Sequence, residues 1–189
     1  MSVTTTKFAG GHWPRIRLIV GVLLLLVVGE CATWMIERDH RSSTSGHVTV
    51  TSEAVAVSEA RLRTLASRGR AVYWTGPRSD MTYELTQTPD GRAYVRYLPA
   101  GVRVGTDRPF PTVATYPLRN AYAVTKSASE QRGSVAVKVP GGVAFYSVAK
   151  PTSVYVAFRG VNEQIEVFDP SPAHVRAVVA GGLVRVAAR

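Results

Sequence analysis

The side chains best suited to acid–base or metal chemistry in this chain are its histidines, His12, His40, His47 and His174. The first three lie in stretches that read as tail and linker. Only His174 falls in a part that should fold, within a predicted last helix and close to Arg176. A nucleophilic triad needs a serine and a carboxylate brought to one imidazole, and the sequence names no such partners for His174. An exposed helical histidine is the expectation. The carboxylates of the strand-rich part are Asp80, Glu84, Asp90, Asp107, Glu130, Glu163, Glu166 and Asp169. No pair among them has a spacing that demands glycosidase-type acid–base work. Asp90 reads as a turn residue, and Asp169, before Pro170, as the start of an Asx-type turn into a helix. Metal binding by Asp80, Glu84 or Glu166 has no spacing to support it. Cys31 is the only cysteine, so an intrachain disulfide and a cysteine-built zinc site are both ruled out. The chain has no P-loop, dinucleotide fingerprint or metalloprotease helix motif. Gly101 to Gly105 lacks the strand-to-helix setting of a phosphate cradle. The expected catalytic, cofactor and metal sets are therefore empty.

Aromatic and basic residues are the remaining lead. Tyr73, Trp74, Tyr83, Tyr94 and Tyr97 gather around the first predicted strands, and Tyr146, Tyr155 and Phe158 recur in later ones. Aromatics fit pleated surfaces, so a sheet core is the plain explanation. The sharper one is a binding surface of Trp74, Arg78, Tyr94 and Arg96, joined by Arg92, able to take a glycan, a peptide or an acidic polymer. The formal charge of +10 favours anionic partners. Arg61, Arg63, Arg68 and Arg70 would form a basic stalk that hugs anionic lipid or envelope polymer. Nucleic acid is set aside as a partner, because the domain is expected outside the cell and its arginines alternate with apolar residues instead of clustering.

The element that decides location is the run from Leu18 to Ile36. As a helix it would span roughly 28 Å at about 1.5 Å per residue, close to the roughly 30 Å hydrocarbon core of a bilayer. Leu18 to Gly29 carries no polar side chain, which leaves no face for water. Trp13 and Trp34 suit the two interfaces. The competing reading is a cleaved or lipidated export signal, with Lys7, Arg15 and Arg17 as its basic start. Glu30 stands where such a signal needs a small residue. The expected organisation is a cytoplasmic tail over 1–15, a transmembrane helix over 16–37, a linker over 38–51 and an extracytoplasmic domain over 52–189. The basic residues before the run set that orientation. The lipid bilayer is thus the first expected partner, with an envelope protein or anionic polymer as the second. The expected place is the cell membrane, crossed once.

Within the domain, Ser52 is expected to cap a helix carrying Val55, Leu62 and Leu65 on one side, ended by Gly69. Ala71 to Trp74 reads as a strand. Met81 to Gln87 and Arg92 to Leu98 form a hairpin around Pro89-Asp90-Gly91. Tyr83 and Leu85 alternate with Thr82, Glu84 and Thr86, so one face of that hairpin should be wet. A loop runs to about Thr112. Pro117 should open a second helix, with Leu118, Ala121, Tyr122 and Thr125 inward. Strands are expected over Ser134 to Val139, Val143 to Val148, Thr152 to Phe158 and Gln164 to Phe168. Ser171 and Pro172 should start a last helix closed by Gly181-Gly182, before a short strand from Leu183 to Val186. The fold class is α+β: an N-terminal transmembrane helix, then a mainly antiparallel β-sheet domain with two or three helices.

The segment LRTLASRGRAVYWTGPRSDMTYELTQTPDGRAYVRYLPAGVRVG, Leu62 to Gly105, and IEVFDPSPAHVRAVVAGGLVRV, Ile165 to Val186, resemble segments of uncharacterised actinobacterial single-pass membrane-anchored proteins. The resemblance implies the anchored architecture and no catalytic residues. The expected function is a membrane-tethered, extracytoplasmic, non-enzymatic domain that binds a protein partner or an envelope component. The alternative is a cell-envelope hydrolase built on the scarce carboxylates or His174.

Overall fold

A computed structural model describes residues 53–67 and 71–187. The expected tail, transmembrane helix and linker lie outside the described residues. Among the described residues no helix is long and apolar enough to cross a membrane.

The elements are β1 (Ala54–Val57), α1 (Glu59–Ser67), β2 (Tyr73–Trp74), β3 (Met81–Gln87), β4 (Ala93–Pro99) and β5 (Thr112–Pro117). They continue as α2 (Ala121–Ser129), β6 (Ser134–Val137), β7 (Gly142–Ser147), β8 (Lys150–Phe158), β9 (Glu163–Phe168), α3 (Pro172–Ala180) and β10 (Arg185–Val186). An eight-stranded sheet runs in the order β1-β3-β4-β5-β9-β8-β7-β6, and each neighbouring pair in it is antiparallel. β10 and β2 form a separate two-stranded ribbon. This is the α+β, antiparallel architecture expected.

Period-2 alternation assigns the faces. Tyr83, Leu85, Val95, Tyr97, Val113, Ile165, Val167, Val154 and Val156 share one buried cluster with Leu62 of α1, Val175 and Val179 of α3, and Trp74 of the ribbon. The Thr115 hydroxyl accepts the Tyr73 N–H at 3.3 Å, which ties the ribbon to β5. The opposite face carries Glu84, Tyr94, Arg96, Tyr116, Gln164 and Glu166. Helix α2 covers the β7–β8 side of it, and Gln164 Nε2 donates to Thr125 Oγ1 at 2.8 Å.

Two helix starts differ from expectation. The first predicted turn after Ser52 is strand β1, because Ala-Val-Ala-Val alternates with period 2 and pairs with β3 from Ala54↔Thr86 to Val57↔Tyr83. Helix α1 is capped by Ser58, whose Oγ accepts the Arg61 N–H at 3.2 Å and whose carbonyl accepts the Leu62 N–H at 3.1 Å. Val55 is consequently 44% exposed and not part of an inner helical stripe. Pro117 does not open a helix; it ends β5, a strand bonded to β4 on one side and β9 on the other. The chain then runs along the β8–β9 turn, with the Leu118 N–H on the Asn162 carbonyl at 2.8 Å and the Asn120 N–H on Asn162 Oδ1 at 3.1 Å. Helix α2 begins only after Asn120, its N-cap, whose φ of 56° is left-handed. The last helix starts where expected: the Ser171 hydroxyl accepts the His174 N–H, with Pro172 in the first turn.

Candidate functional site

The alternation of β3 leads to the site. Glu84 should face water, yet it is 2% exposed. Its cross-strand neighbour explains the burial: Glu84 and Arg96 lie directly opposite in the β3–β4 register. Arg96 Nη1 reaches Glu84 Oε1 at 2.7 Å. The second carboxylate oxygen, Oε2, accepts the Gly105 N–H at 2.7 Å. Arg96 Nη2 donates to the carbonyls of Thr106 at 2.9 Å and Arg108 at 2.8 Å. One buried ion pair thus ties the β4–β5 loop down over the sheet. A buried charge pair persists only when its remaining donors and acceptors are satisfied, and this loop satisfies them.

The loop leaves β4 by a turn in which Val102 N–H donates to the Pro99 carbonyl at 3.1 Å. Gly101 and Gly105 have φ of 82° and 78°, conformations that side-chain-bearing residues rarely adopt. Phe110 anchors the far end in a buried position, with the guanidinium carbons of Arg96 and Arg108 at 5.9 Å and 5.6 Å from its ring centre. The result is a basin of about 450 Å3, lined by Gly101, Val102, Arg103, Val104, Gly105, Thr106 and Arg108. Arg103 and Arg108 are exposed. Glu84 and Arg96 neutralise one another, so the lining is left with two guanidinium groups and no carboxylate.

The four residues expected to form one binding surface are divided by the sheet. Trp74 is fully buried in the core, with Tyr83 edge-on at 6.0 Å and Arg63 over its ring at 5.3 Å. It cannot contribute to a surface, and that expectation is corrected. Its ring fills the space between ribbon, α1 and sheet. Arg78 lies on the core side, its guanidinium 4.8 Å from the centre of the Tyr97 ring. Tyr94 and Arg96 occupy the opposite face, Tyr94 edge-on to Tyr116 at 6.0 Å. The structure therefore brings together Tyr94 and Arg96 only. Arg103, Arg108 and the latch carboxylate Glu84 were not read as a site from sequence. Their signal is an arginine between two glycines in GVRVGTDR, opposite a Glu–Arg strand pair.

Two further polar groups stand apart from the basin. Glu166 accepts from Tyr116 at 2.8 Å and from Tyr155 at 3.4 Å. Asp169 is buried; its Oδ1 accepts the Ser171 N–H at 2.8 Å, the expected Asx turn, and its Oδ2 lies 2.6 Å from His174 Nδ1. A crevice beside Asp169, bordered by Thr75, Arg78 and Tyr97, offers only about 10 Å3, room for at most one water. Burial raises the Tyr97 hydroxyl above its ordinary pKa, against the lowering effect of its hydrogen bonds with Thr75. Asp90, in the β3–β4 turn, is held below its ordinary value, first by the Thr88 hydroxyl and, among weaker causes, by Arg92. No group of three metal-ligating side chains occurs among the described residues.

Comparison with known proteins finds no matching family, no matching curated protein and no matching solved structure. The functional reading therefore rests on the chain's own residues.

Proposed function

We propose that this chain is a single-pass, membrane-tethered domain on the outer side of the membrane that binds a protein partner or a cell-envelope component without reacting with it. The observation that carries the reading is the β4–β5 basin of about 450 Å3, whose lining holds Arg103 and Arg108 and no carboxylate or histidine. Guanidinium groups recognise anionic oxygens through planar, multiply bonded contacts, which is binding chemistry. The Leu18 to Ile36 run supports the tether, since its length and texture match a bilayer crossing. The test uses the full-length chain in detergent, mixed with isolated envelope material. Saturable co-sedimentation without turnover is the expected result. Failure to co-sediment, together with release of a cleavage product, would contradict it.

One observation favours a second reading, a cell-envelope hydrolase. Asp169 fixes the His174 imidazole through Nδ1, the arrangement by which a carboxylate orients a histidine base. The Ser171 hydroxyl accepts the His174 backbone N–H and has no hydrogen bond to the imidazole, so the base would act on water. Any hydrolysis of envelope material that disappears in His174→Ala would support this second reading.

A further inference from the structure

We infer that the Gly101–Arg108 basin holds a phosphate group of a long envelope polymer between the Arg103 and Arg108 guanidinium groups; this inference rests on the binding role proposed above.

The first argument is which charges are left over. Arg63, Arg92 and Arg96 each face a carboxylate at 2.7–2.8 Å. Arg103 and Arg108 form no ion pair among the described residues, although Asp107 lies between them in sequence; other arginines, Arg119 and Arg132 among them, are likewise unpaired, and what sets these two apart is that both line one basin. Asp107 does not line the basin.

The second argument is what the latch removes. A loop presents carbonyl oxygens as readily as N–H groups, and carbonyls repel anions. Here the carbonyls of Thr106 and Arg108 are both taken by Arg96 Nη2. The one nearby buried carboxylate, Glu84, is taken by Arg96 Nη1 and the Gly105 N–H. Two of the loop's carbonyls and the buried carboxylate are consumed by the latch, while Arg103 and Arg108 stay exposed.

Shape supplies the third argument. A Cβ placed on Gly101 or Gly105 would meet nothing within 4 Å. These glycines leave open space where a ligand can approach the backbone. Residues 101–108 alone line the basin, so it is open on its other sides. An open trough suits one segment of a chain lying across it better than an enclosed small molecule.

Ligand class follows from the presence of two arginines on one basin-forming loop. A carboxylate presents two oxygens in one plane and matches one guanidinium edge. A phosphate presents oxygens in a tetrahedral array and can accept from two guanidinium groups approaching from different directions.

The test uses full-length protein in discs of phosphatidylcholine, titrated with a glycerol phosphate oligomer joined by phosphodiester links. Arg103→Gln/Arg108→Gln should weaken binding roughly tenfold or more, as expected for loss of hydrogen bonds to a charged group. Arg119→Gln/Arg132→Gln removes the same charge from exposed positions elsewhere and should weaken it by no more than about threefold, a screened long-range effect. A uronic acid oligomer of equal charge should bind the unaltered protein much more weakly. Equal weakening by the two double variants, or equal binding of the uronic acid oligomer, would overturn the inference. So would displacement of the oligomer by phosphatidylglycerol added to the discs, which would assign the site to a lipid headgroup. The two levels of the reading separate cleanly. If isolated envelope material still retains the Arg103→Gln/Arg108→Gln protein, the binding role stands and this site falls; if it retains neither protein, both fall.

Discussion

At the scale of single residues, Glu84 and Arg96 decide whether the loop has a fixed shape. Removing one member of a buried ion pair leaves the other charged and unpartnered. Arg96→Met should therefore destabilise the domain by about 3–5 kcal/mol, measured by denaturant unfolding. Glu84→Leu/Arg96→Met should recover much of that loss, yet still weaken anion binding, because Thr106, Arg108 and Gly105 lose their anchors. Tyr97 offers a second test. Its hydroxyl accepts the Thr75 N–H at 2.8 Å and the Thr75 hydroxyl at 3.0 Å, and donates to the Gly76 carbonyl at 3.3 Å. Tyr97→Phe should cost about 1–3 kcal/mol, since it strands buried partners. The folded protein holds the Tyr97 proton more tightly than the unfolded chain, whose value is near 10.0. The associated stability is present below pH 10.0 and is lost as pH rises through the higher folded value. A thermal melt series above pH 10 should fall less steeply for Tyr97→Phe than for the unaltered protein.

At the scale of elements, the hairpin at Pro89-Asp90-Gly91, the last helix and the later strands were legible because their signals are local. Turn residues, caps and alternation are all written within a few positions. Strand β5 was not legible, because its Pro117 also fits a helix start, and only pairing with β4 and β9 shows that it ends a strand. The start of α1 was misplaced for a similar reason. Ser52 and Ser58 are both acceptable caps by type, and the choice falls to β1 pairing with β3. Ser58→Ala should lower stability by about 1 kcal/mol through loss of the cap, read as a lower melting temperature. Close approach governs β7: a Cβ on Gly142 would lie 2.8 Å from the Ala157 carbonyl oxygen. Gly142→Ala should destabilise by about 1–3 kcal/mol, the usual penalty of overpacking. The two sheet edges, β1 and β6, are each four residues long, which limits edge-to-edge association.

At the scale of the whole molecule, the sheet is a partition. Sequence grouped Trp74, Arg78, Tyr94 and Arg96 by nearness along the chain. The sheet sends Trp74 and Arg78 to one side and Tyr94 and Arg96 to the other, a division set by strand parity and by the β2–β10 ribbon. Parity alone also made Glu84 look wet. Its burial depends on a loop folding back over the strand, a non-local contact that no periodicity encodes. The basic character of the chain was legible, but which arginines line the β4–β5 basin became visible only once the Glu84–Arg96 pair had fixed the loop. The function proposed above adds a tether in the sequence before this domain. The most direct test of that arrangement is protease treatment of wall-stripped intact cells carrying a tag after Arg189. The account predicts that the tag is lost while a cytoplasmic marker survives. A tag that stays protected until the membrane is lysed would contradict it.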